Sequence, residues 1–287
     1  MMIINCKEIS DHIRDQLKMA VAALGFQPGL AVVYVGDNPA SKTYVNNKKK
    51  ACDEVGIYSE IFHMPGISST DEVIAAVKRI AKRNDIHGVM VQLPLPTHID
   101  ERRVLEAIPA DKDVDGLTSS NMGKLILSND AFIPCTPKGI MTIFEEGSYP
   151  LAGANCVIIG RSNIVGKPLA AMLTKANATV TLCHSKTENL ADITKRADVI
   201  ICAVGKAGFL TENMVSPDAV VIDVGINRTP EGKLIGDVCF DSVSQKVRAI
   251  TPVPGGVGVM TVTSLLENTY HAAVQAKKSV EGGWLSD

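Results

Sequence analysis

Two consecutive α/β domains, each built on a parallel sheet, are what the sequence predicts, and three observations carry the prediction. Short apolar runs rich in β-branched residues alternate with segments whose apolar residues recur at helical spacing, which is the pattern of βαβ units. The alternation lapses after Gln92 and resumes at Cys156, beyond a Gly147–Gly153 link. The third observation is the stretch Asn155-Cys-Val-Ile-Ile-Gly-Arg-Ser-Asn-Ile-Val-Gly-Lys-Pro168. It reads as a buried strand, a glycine turn and a helix, the opening of a Rossmann-type nucleotide unit whose helix start offers free N–H groups to a phosphate. Its spacing departs from G-x-G-x-x-G: only Gly160 and Gly166 remain, with Arg161 and Ser162 where the middle glycine would sit.

Taken in order, residues 7–24 carry Ile9, Ile13, Leu17, Ala20 and Leu24 near helical spacing, and Gly25 with Pro28 ends the element. Strands are predicted at 30–35, 58–62 and 88–92, with helices from Pro39 or Ser41 to Val55 and over 71–83. Pro94 and Pro96 stop the third strand, because proline cannot donate to a ladder. A helix near 101–107, an irregular stretch through Asp115 and a helix over 136–146 lead to the link. The second unit follows as strand 156–159, helix 165–176, strand 178–182, helix 188–195 and strands 198–203, 219–223 and 248–250. A helix over 261–277 closes the pattern and is expected to pack back on the first domain.

At 287 residues the chain can bury two cores. Its formal net charge of −2, with 21% charged residues, argues against a broad basic surface for nucleic acid or anionic lipid. Of seven cysteines, none in a C-x-x-C pair, most read as small core residues in a reducing compartment, and no zinc pattern emerges. Asn5, Lys7 and Glu8 interrupt any early apolar run, and no stretch approaches the roughly 18 apolar residues of a membrane span. The expectation is a cytoplasmic protein with no metal site.

Candidate chemistry gathers in both halves. The predicted strand ending at Leu182 is followed by Cys-His-Ser-Lys-Thr, with no carboxylate to take a ribose 2′-hydroxyl. Ser185, Lys186 and Arg161 offer donors and positive charge instead, which favours a 2′-phosphate and so NADP over NAD. Taken singly, Arg161 reads equally as a surface charge and Ser185 as a turn residue; the strand and helix around them tip the reading to the cofactor. In the first domain Tyr44 and Lys48 stand four apart and share a helix face, whereas Lys49 and Lys50 read as a solvated face. Gln92 closes the third strand, where ligands of open parallel sheets gather. Asp111-Lys-Asp-Val-Asp-Gly imitates a calcium loop but has Met122 where the glutamate belongs, leaving Asp115 as a turn carboxylate or a ligand for a basic heterocycle. His184 reads as a turn residue, and Gly225 and Ile226 could lay backbone against a flat ring or simply satisfy a turn.

These residues, together with Val91-Gln-Leu-Pro-Leu-Pro96, Lys112-Asp-Val-Asp-Gly-Leu-Thr118, Pro134-Cys-Thr-Pro137 and Thr251-Pro-Val-Pro-Gly-Gly-Val-Gly258, resemble the bifunctional methylenetetrahydrofolate dehydrogenase/cyclohydrolase family of the bacterial FolD type. The matching segments run in order over nearly the whole chain. The resemblance implies an N-terminal α/β substrate domain over 1–138, completed by a C-terminal helix over 261–287, and a Rossmann-type NADP-binding domain over 139–260, joined by long helices. It implies a homodimer acting on tetrahydrofolate one-carbon derivatives, with oxidation of the methylene form by NADP and hydrolysis of the methenyl product. Carried over by position, Lys48 is the catalytic lysine, Tyr44 stacks on the substrate, Gln92 orients the lysine and Asp115 binds the pterin. Arg161 and Ser185 would hold the 2′-phosphate; Gly160, Ser162, Ile164, Gly225 and Ile226 would line the cofactor; Pro254 and Gly255 would border the folate. The alternatives are another two-domain NADP dehydrogenase, similar to shikimate dehydrogenase, or a non-catalytic NADP-sensing protein.

Overall fold

A computed structural model describes residues 2–282. In chain order it contains β1 (Met2–Ile3), α1 (Cys6–Ala22), β2 (Gly29–Val35), α2 (Pro39–Val55), β3 (Tyr58–Met64), α3 (Thr70–Ala81), β4 (Gly88–Val91), α4 (Glu101–Leu105), α5 (Ser119–Ile126) and α6 (Cys135–Glu146). There follow β5 (Asn155–Ile159), α7 (Gly166–Lys175), β6 (Thr179–Cys183), α8 (Leu190–Thr194), β7 (Val199–Cys202), β8 (Val220–Asp223), β9 (Asn227–Arg228), β10 (Leu234–Ile235), α9 (Phe240–Ser244), β11 (Ala249–Ile250) and α10 (Val257–Gly282). These divide into two compact units.

The smaller sheet has three parallel strands in the order β3-β2-β4. Every residue of β2 is buried, as a central strand covered on both faces requires, and its sequence Gly-Leu-Ala-Val-Val-Tyr-Val is accordingly almost wholly apolar. Helix α3 places Val73, Val77 and Ile80 on one face of the core shared with Val33, Val35, Val89 and Val91. Burying each such side chain contributes about 1.5–3 kcal/mol before entropy is counted. A capping box starts that helix: Glu72 N donates to Ser69 Oγ at 3.3 Å, and Ser69 N donates to the Glu72 carboxylate at 2.7 Å. Beyond β4 the irregular segment around Asp113 lies alongside it, Val89 N donating to Lys112 O at 2.8 Å. This unit comprises His12–Lys124, Asn129–Ile133 and the described residues from Val262 on.

The larger sheet has six strands in the order β1-β11-β8-β7-β5-β6, all parallel. From β5 the chain moves to β6 on one side and then to β7 on the other, so strand order reverses at the carboxyl ends of β5 and β7. That reversal is where open α/β sheets bind ligands. Its core joins Val157, Ile159, Ile200, Cys202, Val221 and Ile250.

The expected strands and the longer helices are present, with boundaries shifted by a few residues. The unit limits are drawn differently from 1–138 and 139–260: residues through Asp11 belong with the larger sheet, because β1 adds at its edge, Ile4 N donating to Ile250 O at 2.9 Å. A two-residue strand carries no periodicity, so sequence patterning cannot find it. The same holds for the antiparallel β9–β10 pair and the short α9. Helix α10 begins at Val257, earlier than the expected 261, and residues 283–287 of the expected C-terminal helix lie outside the described residues. Six cysteines are buried free thiols, the core role expected of most of them, and Cys239 is exposed.

Candidate active site

In the three-stranded unit the site starts from the turn after β2. Gly36 takes φ 82°, and Asn38 Oδ1 accepts from Ser41 N at 3.2 Å, capping the start of α2. Tyr34 donates its hydroxyl to Asn38 O at 3.1 Å, while His63 stacks on the Tyr34 ring at 4.9 Å and its Nε2 lies 2.9 Å from Gly36 O. The turn is therefore held from two strands. Along α2, Val45, Ala51, Cys52 and Val55 are buried, Tyr44 and Lys48 are half-buried, and Lys50 is exposed. Lys49 is exposed and ends 3.8 Å from Asp53, as a solvated face would have it.

Lys48 Nζ donates to Gln92 Oε1 at 2.9 Å. Gln92 is buried one residue past β4, its backbone N extending the ladder to Val33 O at 2.8 Å. Its Nε2 donates to Leu93 O at 2.7 Å. That bond fixes which way the amide faces: the nitrogen is spoken for by a carbonyl, so the oxygen is the atom presented to the lysine.

Asp115 sits half-buried in the loop beside β4, and its neighbour Asp113 is fully buried. Asp113 accepts from Leu117 N at 3.2 Å, Thr118 N at 2.9 Å and Asn121 Nδ2 at 2.9 Å. Val114 O accepts from Asn268 Nδ2 of α10 at 2.9 Å. The aspartate repeat that imitates a calcium loop thus has a different cause: one carboxylate folds inward to organise the backbone that carries the next.

In the six-stranded unit Gly160 has φ 124°, and a Cβ there would lie 2.2 Å from Ala203 O. A Cβ on Gly166 would lie 2.0 Å from Gly160 O. Both glycines are required by close backbone approach, the role such glycines play in nucleotide turns. Ser162 Oγ accepts from Val165 N at 3.2 Å and Gly166 N at 3.4 Å, bracing the turn that leads into α7, whose N-cap is Val165. After β6, His184 N donates to Thr187 Oγ1 at 2.8 Å and Lys186 N donates to His184 Nδ1 at 3.2 Å, so His184 serves the turn as expected. Arg161, Ser185 and Lys186 are exposed at these strand ends, and residues 183–187 include no carboxylate. This donor set, two cations and a hydroxyl, fits a dinucleotide bearing a 2′-phosphate.

Two buried carboxylates that sequence reasoning passed over hold the remaining loops. Asp223 accepts from Gly225 N at 3.0 Å, Asp237 N at 2.9 Å and Val238 N at 3.0 Å, and its own N donates to Thr251 Oγ1 at 2.8 Å. Burial pushes its carboxyl up to about 6, against those three N–H bonds and with the Asp237 charge adding to the rise. Asp237 accepts from Val204 N, Gly205 N and Asn227 Nδ2 at 2.7, 2.8 and 2.9 Å. A Cβ on Gly236 would stand 1.8 Å from Asp223 Oδ2, and one on Gly225 would stand 2.2 Å from Asp237 Oδ1. Gly225 is there to make room for a carboxylate, which neither sequence reading of it supposed. Nothing in the spacing of Asp223-Val-Gly225 and Gly236-Asp237 announces that the two carboxylates meet. Ile226 and Ile164 are exposed at 45% and 41%, and Pro254 and Gly255 are exposed just before α10.

Comparison with known proteins bears on both units. Residues 4–115 match the family model for the tetrahydrofolate dehydrogenase/cyclohydrolase catalytic domain, and residues 134–277 match that family's NAD(P)-binding domain. The bifunctional protein FolD of Nitrosospira multiformis is 52% identical over 283 residues, covering 98% of each chain. Among solved structures, the bifunctional FolD methylenetetrahydrofolate dehydrogenase/cyclohydrolase of Campylobacter jejuni superposes with a TM-score of 0.93 at 46% identity, covering 96% of this chain and 99% of that one. The Trypanosoma brucei methylenetetrahydrofolate dehydrogenase-cyclohydrolase, solved with NADP cofactor and inhibitor, gives 0.92 at 34% identity over 98% of each chain.

Proposed function

The chain belongs to the tetrahydrofolate dehydrogenase/cyclohydrolase family and is an NADP-dependent enzyme with both activities, and on that premise we propose which of its residues carry them. The substrate of the first step is 5,10-methylenetetrahydrofolate, oxidised to the 5,10-methenyl form; water then opens that product to 10-formyltetrahydrofolate. NADP, when bound, supplies the hydride acceptor. Arg161 and Ser185 hold its 2′-phosphate, and Gly160, Ser162, Ile164, Gly225 and Ile226 line its path along the strand ends.

The substrate role falls to the three-stranded unit. Tyr44 stacks on and positions the folate, and Asp115 binds the pterin. Hydride departure leaves a cation spread over two nitrogens, so this step asks chiefly for positioning. Hydration asks for proton movement. The attacking water gives a proton to the neutral amine of Lys48 as its oxygen bonds the methenyl carbon. The resulting ammonium returns that proton to the ring nitrogen whose bond to carbon breaks, and the carbinol hydroxyl releases its proton to solvent. A cationic heterocycle disfavours a charged neighbour, which suits a lysine to this work.

One observation supports the assignment above the rest: the 2.9 Å bond from Lys48 Nζ to Gln92 Oε1. A carboxylate in place of Gln92 would lock the lysine in its charged form; a neutral amide holds the nitrogen in place and leaves the proton exchangeable. The alternatives, a shikimate-dehydrogenase-like enzyme or a cofactor sensor without catalysis, are not favoured, because the family match covers both halves of the chain. The same reading takes the protein to be a cytoplasmic homodimer whose 10-formyl product serves purine biosynthesis; among the described residues no helix is long and apolar enough to cross a membrane.

Lys48→Met tests the assignment. Hydrolysis of methenyltetrahydrofolate, followed by its absorbance, should fall by about 10²–10⁴-fold, with NADPH binding unchanged. Hydrolysis at the parent rate would remove Lys48 from the mechanism.

A further inference from the structure

We propose that Asp237 is a positioning residue for the dinucleotide, holding the loop after β7 and the loop after β8 in one fixed arrangement. The inference rests on the reading that the loop bearing Ile226 faces the cofactor.

The side chain is fully buried, and its carboxylate accepts from the loop after β7 and from the first residue of β9. One carboxylate oxygen accepts from Val204 N at 2.7 Å and Gly205 N at 2.8 Å, directly after Ala203, whose carbonyl closes on the Gly160 turn. The other oxygen accepts from Asn227 Nδ2 at 2.9 Å, next to the exposed Ile226. Asp237 is itself seated by Asp223, whose carboxylate accepts from Asp237 N and Val238 N at 2.9 and 3.0 Å. A single carboxylate thereby links the glycine turn at the reversal of strand order to the loop that ends β8. The partners are amides, not cations, so the arrangement desolvates charge without an ion pair to offset it. Buried charge is a poor way to gain stability. It is an effective way to hold several N–H groups at fixed positions, because one carboxylate accepts more bonds than any neutral side chain.

The full-length protein is assayed for NADPH binding by the change in NADPH fluorescence, alongside Michaelis constants and melting temperature. Asp237→Ala should weaken NADPH binding about tenfold or more, and KM for NADP should rise with it while KM for the folate substrate moves less than about twofold. Asp237→Asn, which keeps an oxygen for the Val204 and Gly205 amides, should recover most of the loss. A purely structural role would lower the melting temperature of Asp237→Ala and leave NADPH affinity intact, and that result would overturn the inference. Should Asp237→Ala fail to fold, Asn227→Ala removes one bond to the carboxylate and should weaken binding about threefold; unchanged affinity there overturns the inference equally. Ile226→Ala separates the two layers of the argument. Weaker binding in Ile226→Ala with unchanged binding in Asp237→Ala defeats the inference alone, whereas unchanged binding in Ile226→Ala defeats the underlying reading and the inference with it.

Discussion

At the carboxyl end of β4 an amide, Gln92, reaches out to Lys48, whereas at the carboxyl end of β8 a carboxylate, Asp223, turns inward and receives backbone N–H groups. Both positions close a strand of an open parallel sheet, yet they do opposite work. In the three-stranded unit the reactive group stands on a regular helix and the strand end meets it directly. In the six-stranded unit the exposed residues sit on loops, and buried carboxylates give those loops their shape. A regular element presents a side chain by its own periodicity; a loop presents one only if something else holds the loop.

If that contrast is right, the six-stranded unit should be the more sensitive to backbone crowding. Gly160→Ala carries the largest expected effect. Its φ of 124° strains any residue with a Cβ, and that Cβ would meet Ala203 O at 2.2 Å with no flexible side chain to give way. The cost should exceed about 3 kcal/mol, read as a lower urea midpoint together with loss of NADPH binding. Gly36 holds the corresponding turn after β2 at φ 82°, but a Cβ there meets nothing nearer than 3.6 Å. Gly36→Ala should therefore cost only the conformational strain, about 1–2 kcal/mol. Equal losses in the two variants would break the contrast.

The contrast also explains what could be read from the chain without coordinates. Tyr44 and Lys48 were legible because a helix fixes the meaning of a four-residue spacing, and Gln92 because prolines after it mark the strand end. Gly160 and Gly166 were legible because a nucleotide turn has a local signature. Asp223 and Asp237 were not, since they stand fourteen positions apart with only the short β9–β10 pair between them and nothing in spacing says that two acidic residues meet. Buried acids in loops look like solvated acids in loops until their partners are known. Strand β1 escaped for a related reason: its two residues are a strand only because β11 lies beside them.

Asp113 is where the three-stranded unit resembles the other, a buried carboxylate serving loop backbone, and it gives the middle-sized test. Asp113→Ala leaves Leu117 N, Thr118 N and the Asn121 amide without that acceptor, in a place where water does not reach. Leaving buried donors unpaired should cost about 2–4 kcal/mol. Because Asp113 lies two residues before Asp115, KM for the folate substrate should also rise, while NADPH affinity stays at the parent value. A loss of stability with no change in KM would mean that the loop holds its shape without Asp113, and the likeness between the units would fail.

The smallest effect sharpens the comparison most, because it sets a serine that caps a helix against one that braces the turn before a helix. Ser69 and Glu72 cap α3 reciprocally, each side chain taking the other's backbone N–H. Ser162 stands three residues before Val165, the N-cap of α7, and braces that turn in one direction only, through bonds of 3.2 and 3.4 Å to Val165 N and Gly166 N. Long bonds made one way should be worth less than a reciprocal pair, so Ser162→Ala should cost at most about 1 kcal/mol and Ser69→Ala somewhat more. In a thermal melt of a chain this long the Ser162 effect amounts to a few degrees, about 2–4 °C. If Ser162→Ala nonetheless weakens NADPH binding while Ser69→Ala leaves it alone, the hydroxyl acts on the cofactor as well as on the helix. A melt shift without any change in affinity would reduce Ser162 to a brace for the turn and leave phosphate recognition to Arg161, Ser185 and the helix start.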